Sequence, residues 1–366
     1  MVAVALALTA LGFAACTGSD RVGSAEPPVE PAESVAQDAT SATPQQAATW
    51  SLEAARVDRL PRNLAYARSA LPRRFPADDA VLPDLLADPP GRAVLAYHPR
   101  EFFEPGGWAT ERIFFLGTDG AWRSLAMTDL GLPESAWPGL DTYGAGALSY
   151  DGRTWAGRTN FGVVLVDLSS GQATSVATPG VHTSFLAWRP DGQQLDMVRG
   201  GDKARSYRTW SLHPRTGKVV RAPYRLPLSA YASDGTVVTF TRGEGGTQRV
   251  VHHPDGRTSS EAVSVPYRRV RFGALVGPAS SLVGLYRTVA AIDNATTSPI
   301  ARLATPFSST IPVGWLDADR VLLTLNEVGL VAWNVDSGEV QALTKVRPAL
   351  QPDSWWTIAV ALDLVA

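Results

Sequence analysis

From Arg92 onward, short apolar runs alternate with tight polar turns. Val163-Val164-Leu165-Val166, Val237-Val238-Thr239-Phe240 and Val321-Leu322-Leu323-Thr324-Leu325 are rich in β-branched residues at successive positions, the pattern of strands packed on both faces. Two series of turns separate such runs. The first comprises Leu148-Ser149-Tyr150-Asp151-Gly152, Ala187-Trp188-Arg189-Pro190-Asp191-Gly192 and Tyr231-Ala232-Ser233-Asp234-Gly235, with weaker members at Val276-Gly277-Pro278-Ala279 and Gly314-Trp315-Leu316-Asp317-Ala318. The second comprises Asp119-Gly120, Ser170-Gly171, Thr216-Gly217, Asp255-Gly256, Asn294-Ala295 and Ser337-Gly338. Asp-Gly and Ser-Gly suit the positive φ angles of hairpin turns. Members of each series recur at intervals of about forty residues, so each period encodes about four strands and two turns.

A four-stranded unit repeated side by side matches a propeller blade, a small sheet that buries both faces against its neighbours around a channel. The expected fold class is therefore all-β, a β-propeller; a sandwich would not repeat at this period and a β-helix would repeat at a shorter one. The phrase Trp188-Arg189-Pro190-Asp191-Gly192, with the stretch Val163 to Gly171, resembles WD40-like and TolB-type propeller repeats over roughly Arg92 to Val346. The resemblance implies architecture and is poor for function. The first unit, Ala93 to Leu125, lacks the strand that precedes the first turn elsewhere, while Trp355 to Leu362 forms a strand without a unit. Joining the two closes six blades; seven remain the alternative if Leu52 to Pro90 adds strands.

The N-terminal part reads differently. Val2 to Ala15 is an apolar run shorter than the roughly 20 residues of a spanning helix. It ends Leu11-Gly12-Phe13-Ala14-Ala15-Cys16, and Ala14, Ala15 and Cys16 resemble the processing site of bacterial lipoprotein precursors, whose cysteine is lipidated. Phe13 stands where Leu is usual, and no Lys or Arg precedes the run. From Thr17 to Thr49 there is no aromatic residue and Ala, Pro, Ser, Thr, Gln and Glu dominate, a composition expected to stay disordered. The expected organisation is a signal peptide over 1–15, a lipidated Cys16 with its spacer over 16–49, an extension over 50–91 that packs on or completes the propeller, and the propeller over 92–366. That organisation implies an exported protein held on the outer face of the cytoplasmic membrane. Cys16 is the single cysteine, which excludes an intramolecular disulfide and a multi-cysteine zinc site.

Composition narrows the class further. Of 33 basic residues only Lys203, Lys218 and Lys345 are lysines, a skew expected of a GC-rich genome such as an actinobacterial one. A formal net charge of -2 gives no global field for nucleic acid.

Local charge is less even. Arg199, Lys203, Arg205, Arg208, Arg215, Lys218, Arg221 and Arg225 face one acid, Asp202, and Arg268, Arg269 and Arg271 follow one unit later. Interleaved with Tyr207, Trp210 and Tyr224, they predict a basic sector for an envelope protein or an anionic lipid or cell-wall polymer, with Arg205, Tyr207, Arg208, Arg268, Arg269 and Arg271 as candidate contacts. The late units run acidic, with Asp317, Asp319, Glu327, Asp336 and Glu339.

No motif assigns chemistry. The histidines form no metal-binding spacing, and His252-His253 on one strand point apart. Asp317-Ala318-Asp319 lacks the length and distal Glu of a calcium loop. Ser149-Tyr150-Asp151-Gly152-Arg153-Thr154-Trp155 resembles the Asp-box of sialidase-like propellers but is one residue short between Asp and Gly, and such a box is a structural turn. No Gly-x-Ser-x-Gly elbow, phosphate loop or dinucleotide fingerprint occurs. The sequence thus predicts no catalytic residue, cofactor or metal. It favours a binding scaffold, with an envelope hydrolase or lyase using a site in the channel as the alternative.

Overall fold

The computed structural model describes residues 55–76, 80–100, 112–132, 146–178, 183–199, 208–224, 229–232, 234–243, 246–263, 272–277, 279–285, 287–296, 298–305, 310–325, 329–344 and 355–365. After β1 (Arg56–Arg59) come β2 (Ala93–Arg100), β3 (Arg112–Gly117) and β4 (Trp122–Ala126). Blade one is β5 (Ala147–Leu148), β6 (Thr154–Thr159), β7 (Gly162–Asp167) and β8 (Gln172–Ala177). Blade two is β9 (Thr183–Trp188), β10 (Leu195–Arg199), β11 (Arg208–His213) and β12 (Lys218–Arg221). Blade three is β13 (Ser229–Tyr231), β14 (Val237–Gly243), β15 (Gly246–His252) and β16 (Thr258–Val263). Blade four is β17 (Phe272–Val276), β18 (Ser280–Leu285), β19 (Thr288–Asp293) and β20 (Pro299–Ala304). Blade five is β21 (Thr310–Trp315), β22 (Arg320–Leu325), β23 (Gly329–Asn334) and β24 (Val340–Ala342). Blade six joins the two ends of this region in the order β25 (Trp355–Val360), β2, β3, β4.

The fold is a six-bladed β-propeller. The first strands of adjacent sheets approach one another, β5 with β9, β13 with β17, β17 with β21 and β25 with β5, so these strands are innermost. The fourth strands lie outside, and β16 is exposed along its described length. Closure rests on β25 pairing antiparallel with β2, from Leu95 opposite Val360 to Arg100 opposite Trp355. Gly152 shows how tightly this junction is built. Its φ is +70°, and a Cβ there would lie 2.3 Å from the Ala93 carbonyl oxygen and 2.7 Å from Leu364, while the Ala93 N–H donates to the Gly152 carbonyl at 2.8 Å.

Apolar faces between blades form the core. Phe115, Leu125 and Ala96 of blade six pack with Trp155, Val164 and Val166 of blade one, and Phe115 meets Trp155 edge-on at 5.7 Å. Leu165, Ala156 and Val163 of blade one pack with Leu186, Trp188, Met197 and Leu212 of blade two. Trp188 of the repeated phrase donates its indole N–H to the Ala147 carbonyl of the neighbouring inner strand at 3.1 Å.

The described residues of 55–91 add no seventh blade. They cross the outer strands of three blades as a belt. β1 pairs in parallel with β20 and gives blade four a fifth strand; Tyr66 bridges to Ala342 on β24, and Asp84 bridges to Ser124 on β4. Outer edges with unpaired backbone groups invite aggregation, and the belt covers part of them. Asp58 of β1 is buried, accepts the Trp333 indole N–H at 3.0 Å and pairs with Arg56 at 2.8 Å. Further along, Phe75 stacks on Tyr97 at 4.6 Å and meets Trp122 edge-on at 5.9 Å, joining the core of blades five and six.

Candidate functional site

Antiparallel alternation gives the ring two unlike ends. Connections from a first to a second strand, and from a third to a fourth, lie at one end; the remaining connections lie at the other. The first end consists of short turns, and the second carries the long connections 101–111, 127–146 and 343–354. Long connections on a rigid scaffold are where binding residues concentrate.

At the turn end, several aspartates are occupied by the turns themselves. Asp191, Asp234 and Asp255 accept the backbone N–H two residues on, at 2.9, 2.8 and 3.0 Å. Asp167 accepts the Ser169 hydroxyl and N–H, and Asp293 accepts the Thr296 N–H, which hold both carboxyls below the usual carboxylate range. Asp317 accepts the Arg320 N–H at 2.8 Å and Asp319 accepts the Asn334 amide at 2.6 Å, so these members of the acidic late units serve structure. In the segment like an Asp-box, Ser149 donates to Asp151 at 2.7 Å and accepts the N–H groups of Arg153 and Thr154. That segment is a closed turn.

The six inner strands bear no Asp, Glu, Lys, Arg, His or Cys. Their sequences are Ala-Leu, Thr-Ser-Phe-Leu-Ala-Trp, Ser-Ala-Tyr, Phe-Gly-Ala-Leu-Val, Thr-Ile-Pro-Val-Gly-Trp and Trp-Trp-Thr-Ile-Ala-Val. These strands thus bring no carboxylate, imidazole, amine or thiol to the walls of the channel. Among the described residues, no three His, Cys, Asp or Glu side chains gather to hold a metal ion.

The basic run of blade two divides between the ends. Arg215 and Lys218 sit at its turn between β11 and β12, whereas Arg208 starts β11 and Arg221 ends β12 at the opposite, loop end. Arg208 is half-buried, and its Nη1 lies inside without a hydrogen-bond partner. Cys16, Arg205, Tyr207, Arg268, Arg269 and Arg271 lie outside the described residues.

Tyr224 departs from the expected basic sector, being buried rather than displayed. Its hydroxyl donates to Asp196 at 2.5 Å, and Asp196 is fully buried on β10. Ser211 donates to the other carboxylate oxygen at 2.5 Å, Arg189 stands 3.6 Å from Asp196, and the Arg189 guanidinium also donates to Ser211 and Tyr224. Burial, then the Asp196 charge, pushes the Tyr224 phenol far above its ordinary range, so it stays protonated and acts as a donor. The group binds Arg189, β10, β11 and the chain after β12 into one unit. Its ring neighbour is His252 of blade three at 5.6 Å, whose imidazole is pushed below its ordinary value by burial. The paired, buried carboxylate leaves no nucleophile or base facing solvent, and its role is structural. Sequence reasoning missed this group; the available signal was an acid inside the apolar run Leu195-Asp196-Met197-Val198.

No protein-family model matches the chain, and no curated protein matches it. Solved structures do. TolB from Acinetobacter baumannii aligns at 11% identity with a TM-score of 0.40, covering 69% of this chain and 74% of that one. A calcium-binding protein, regucalcin, from Agrobacterium tumefaciens strain C58 aligns at 17% identity with a TM-score of 0.44, covering 74% of this chain and 87% of that one. Neither likeness bears on a ligand or an activity.

Proposed function

We propose that this protein is a non-catalytic binding scaffold of the cell envelope, tethered through lipidated Cys16 and presenting the loop end of its propeller to an anionic partner, an envelope protein or a cell-wall polymer. The observation that carries the reading is the division of charge. Asp167, Asp191, Asp234, Asp255, Asp293 and Asp317 at the turn end are spent on the turns, the inner strands carry no carboxylate, imidazole, amine or thiol, and Arg208 places a guanidinium at the loop end. Arg205, Tyr207, Arg268, Arg269 and Arg271 extend this surface in the proposal. Electrostatic complementarity of this kind favours encounter and specificity. The hydrolase or lyase alternative needs converging acids, and the inner strands supply none.

The tether rests on the processing-site residues Ala14, Ala15 and Cys16 and on the spacer composition. A lipidated cysteine of this class carries two or more acyl chains, sufficient for stable attachment. Metabolic labelling with a fatty-acid analogue should mark the wild type and leave Cys16→Ala unlabelled; equal label refutes the tether. Capture from envelope extract should recover a partner with wild type and lose it in the triple Arg268, Arg269 and Arg271 to Ala variant. Recovery of nothing above background by the wild type refutes the scaffold.

A further inference from the structure

We propose that the outer edge of blade one is a self-association surface, on which β8 of one copy pairs antiparallel with β8 of a second copy of this chain. The surface is separate from the loop end and independent of the scaffold reading.

Three of the six outer strands are covered by the belt: β20 by β1, β24 by the Tyr66 bridge and β4 by the Asp84 bridge, all in parallel. Among the described residues, β8, β12 and β16 have no such partner. Bare edges are normally blunted by charge, proline, a bulge or short length. β12 spans only four residues and carries Lys218 and Arg221, and β16 carries Glu261, which pairs with Arg249 at 2.5 Å. β8 has none of these devices. It reads Gln-Ala-Thr-Ser-Val-Ala, pairs with β7 over all six residues without a register shift, and is exposed at every residue but Val176. Residues 146–178 are described throughout, so no gap interrupts this sheet or its turns.

Hydrogen-bond alternation identifies the backbone groups that face outward. The Thr178 N–H donates to the Phe161 carbonyl at 2.9 Å. Along an antiparallel ladder this points the N–H and C=O groups of Thr174 and Val176 toward β7, and those of Ala173, Ser175 and Ala177 away from it. A two-fold axis at Ser175 bonds Ser175 to its counterpart and Ala173 to Ala177 of the second copy, in both directions. The side chains suit that register. Thr174 falls opposite Val176, a β-branched pair on the face where Val176 packs with the core shared with blade two. Ala173, Ser175 and Ala177 lie on the other face, where small side chains meet one another. No charge stands on the strand, whereas the same operation on β12 would gather four cations. Phe161, one strand in from Thr178, is 59% exposed and adds an aromatic side chain at the loop-end corner of this edge, a residue type enriched in contact surfaces. The contact is isologous and closes at two copies. Because β8 runs from the turn end to the loop end, the pairing points the two loop ends in opposite directions.

The test is sedimentation velocity of the full chain in mild detergent over a concentration series, with an oxidative crosslink as a second readout. A reversible monomer–dimer equilibrium is expected. Ser175→Pro removes an outward N–H and leaves the bonds to β7 in place, as proline on an edge strand can. Both copies lose a donor, so dimerisation should weaken about tenfold or more. Ser260→Pro, on the bare strand β16, should dimerise as wild type does. In a Cys16→Ser background, Ser175→Cys should oxidise to a disulfide-linked dimer, because hydrogen-bonded partners have Cα atoms about 5.5 Å apart, and Ser260→Cys should not. Ser175→Lys sets two cations together across the axis and decides if melting curves show that Ser175→Pro unfolds. A monomer at every concentration, a dimer undiminished in Ser175→Pro and Ser175→Lys, or a dimer whose Ser175→Cys thiols stay free overturns the inference. Loss of the dimer in Ser260→Pro alone assigns the contact to blade three and overturns it as well. A monomeric wild type that still captures its envelope partner refutes this inference alone, and a dimer that captures nothing refutes the scaffold alone.

Discussion

Removing the Tyr224 hydroxyl tests the buried Asp196 group with little change of shape. In Tyr224→Phe the ring keeps its place beside His252 while Asp196 loses one of its two hydroxyl donors. Asp196 is 0% exposed, so water cannot readily replace the donor. A hydrogen bond to a charged group is worth about 1.5–3 kcal/mol, and full burial puts the expected loss near the upper figure. Ser211→Ala removes the other hydroxyl donor and should cost about 2 kcal/mol on the same argument. Because both donors serve one carboxylate, the double variant should deviate from additivity by at least about 0.5 kcal/mol. Asp196→Ala strands Arg189 and both hydroxyls and should cost about 3–5 kcal/mol. The assay is urea unfolding of the full chain at pH 7.5 followed by circular dichroism. The phenol adds a pH signature. Its folded pKa is raised, so its contribution is complete below the unfolded value of about 10 and is lost as pH rises above it. The gap between wild type and Tyr224→Phe should therefore narrow from pH 9 to pH 11. A Tyr224→Phe variant within 0.5 kcal/mol of wild type at pH 7.5 would refute the reasoning.

Three more outcomes are expected. His252 has a folded pKa below its unfolded value of about 6.5, so the unfolded state binds more protons and stability falls as pH drops below that value; melting curves from pH 7.5 to 5.5 should show a shallower fall in His252→Gln than in wild type. Gly152→Ala forces a non-glycine residue to positive φ against the Ala93 carbonyl and should destabilise by about 1–3 kcal/mol or more, read by thermal denaturation. Phe75→Ala should cost about 3–5 kcal/mol in urea unfolding, because the belt contributes this buried ring to the core of blades five and six; a loss under 1 kcal/mol would mean that the belt is an accessory to the ring.

The repeat was legible because turn chemistry is local. In Trp188-Arg189-Pro190-Asp191-Gly192, Asp191 caps the turn and Gly192 takes a positive φ, so both positions are specified within a few residues. Closure by β25 was legible as a surplus strand at one end matching a deficit at the other. The belt was not, since Arg56 to Arg59 pairs in parallel with a strand whose partners lie at Ala301 to Ala304, and Arg56-Val57-Asp58-Arg59 has neither alternation nor an apolar run. Nor was the Asp196 group, whose tyrosine lies 28 residues away in sequence and reads by composition as part of a basic surface. For the same reason the basic run looked continuous. Strand direction sends Arg215 and Lys218 to one end and Arg208 and Arg221 to the other, a division that depends on where each strand begins.

The proposed binding face depends on a ring closed between β2 and β25, and a crosslink across that pair tests it directly. Ala96 and Ala359 are register partners on the face toward blade one, and Cys16 is the single native cysteine. In a Cys16→Ser background carrying Ala96→Cys and Ala359→Cys, mild oxidation of the native protein should form an intramolecular disulfide, seen as loss of two free thiols and faster non-reducing migration that reverses on reduction. Control chains with Ala359→Cys paired instead with a cysteine at Ala173, on the outer strand of blade one, should not crosslink. Two thiols that stay free in the Ala96 and Ala359 pair while the protein remains folded would contradict the closed six-bladed ring.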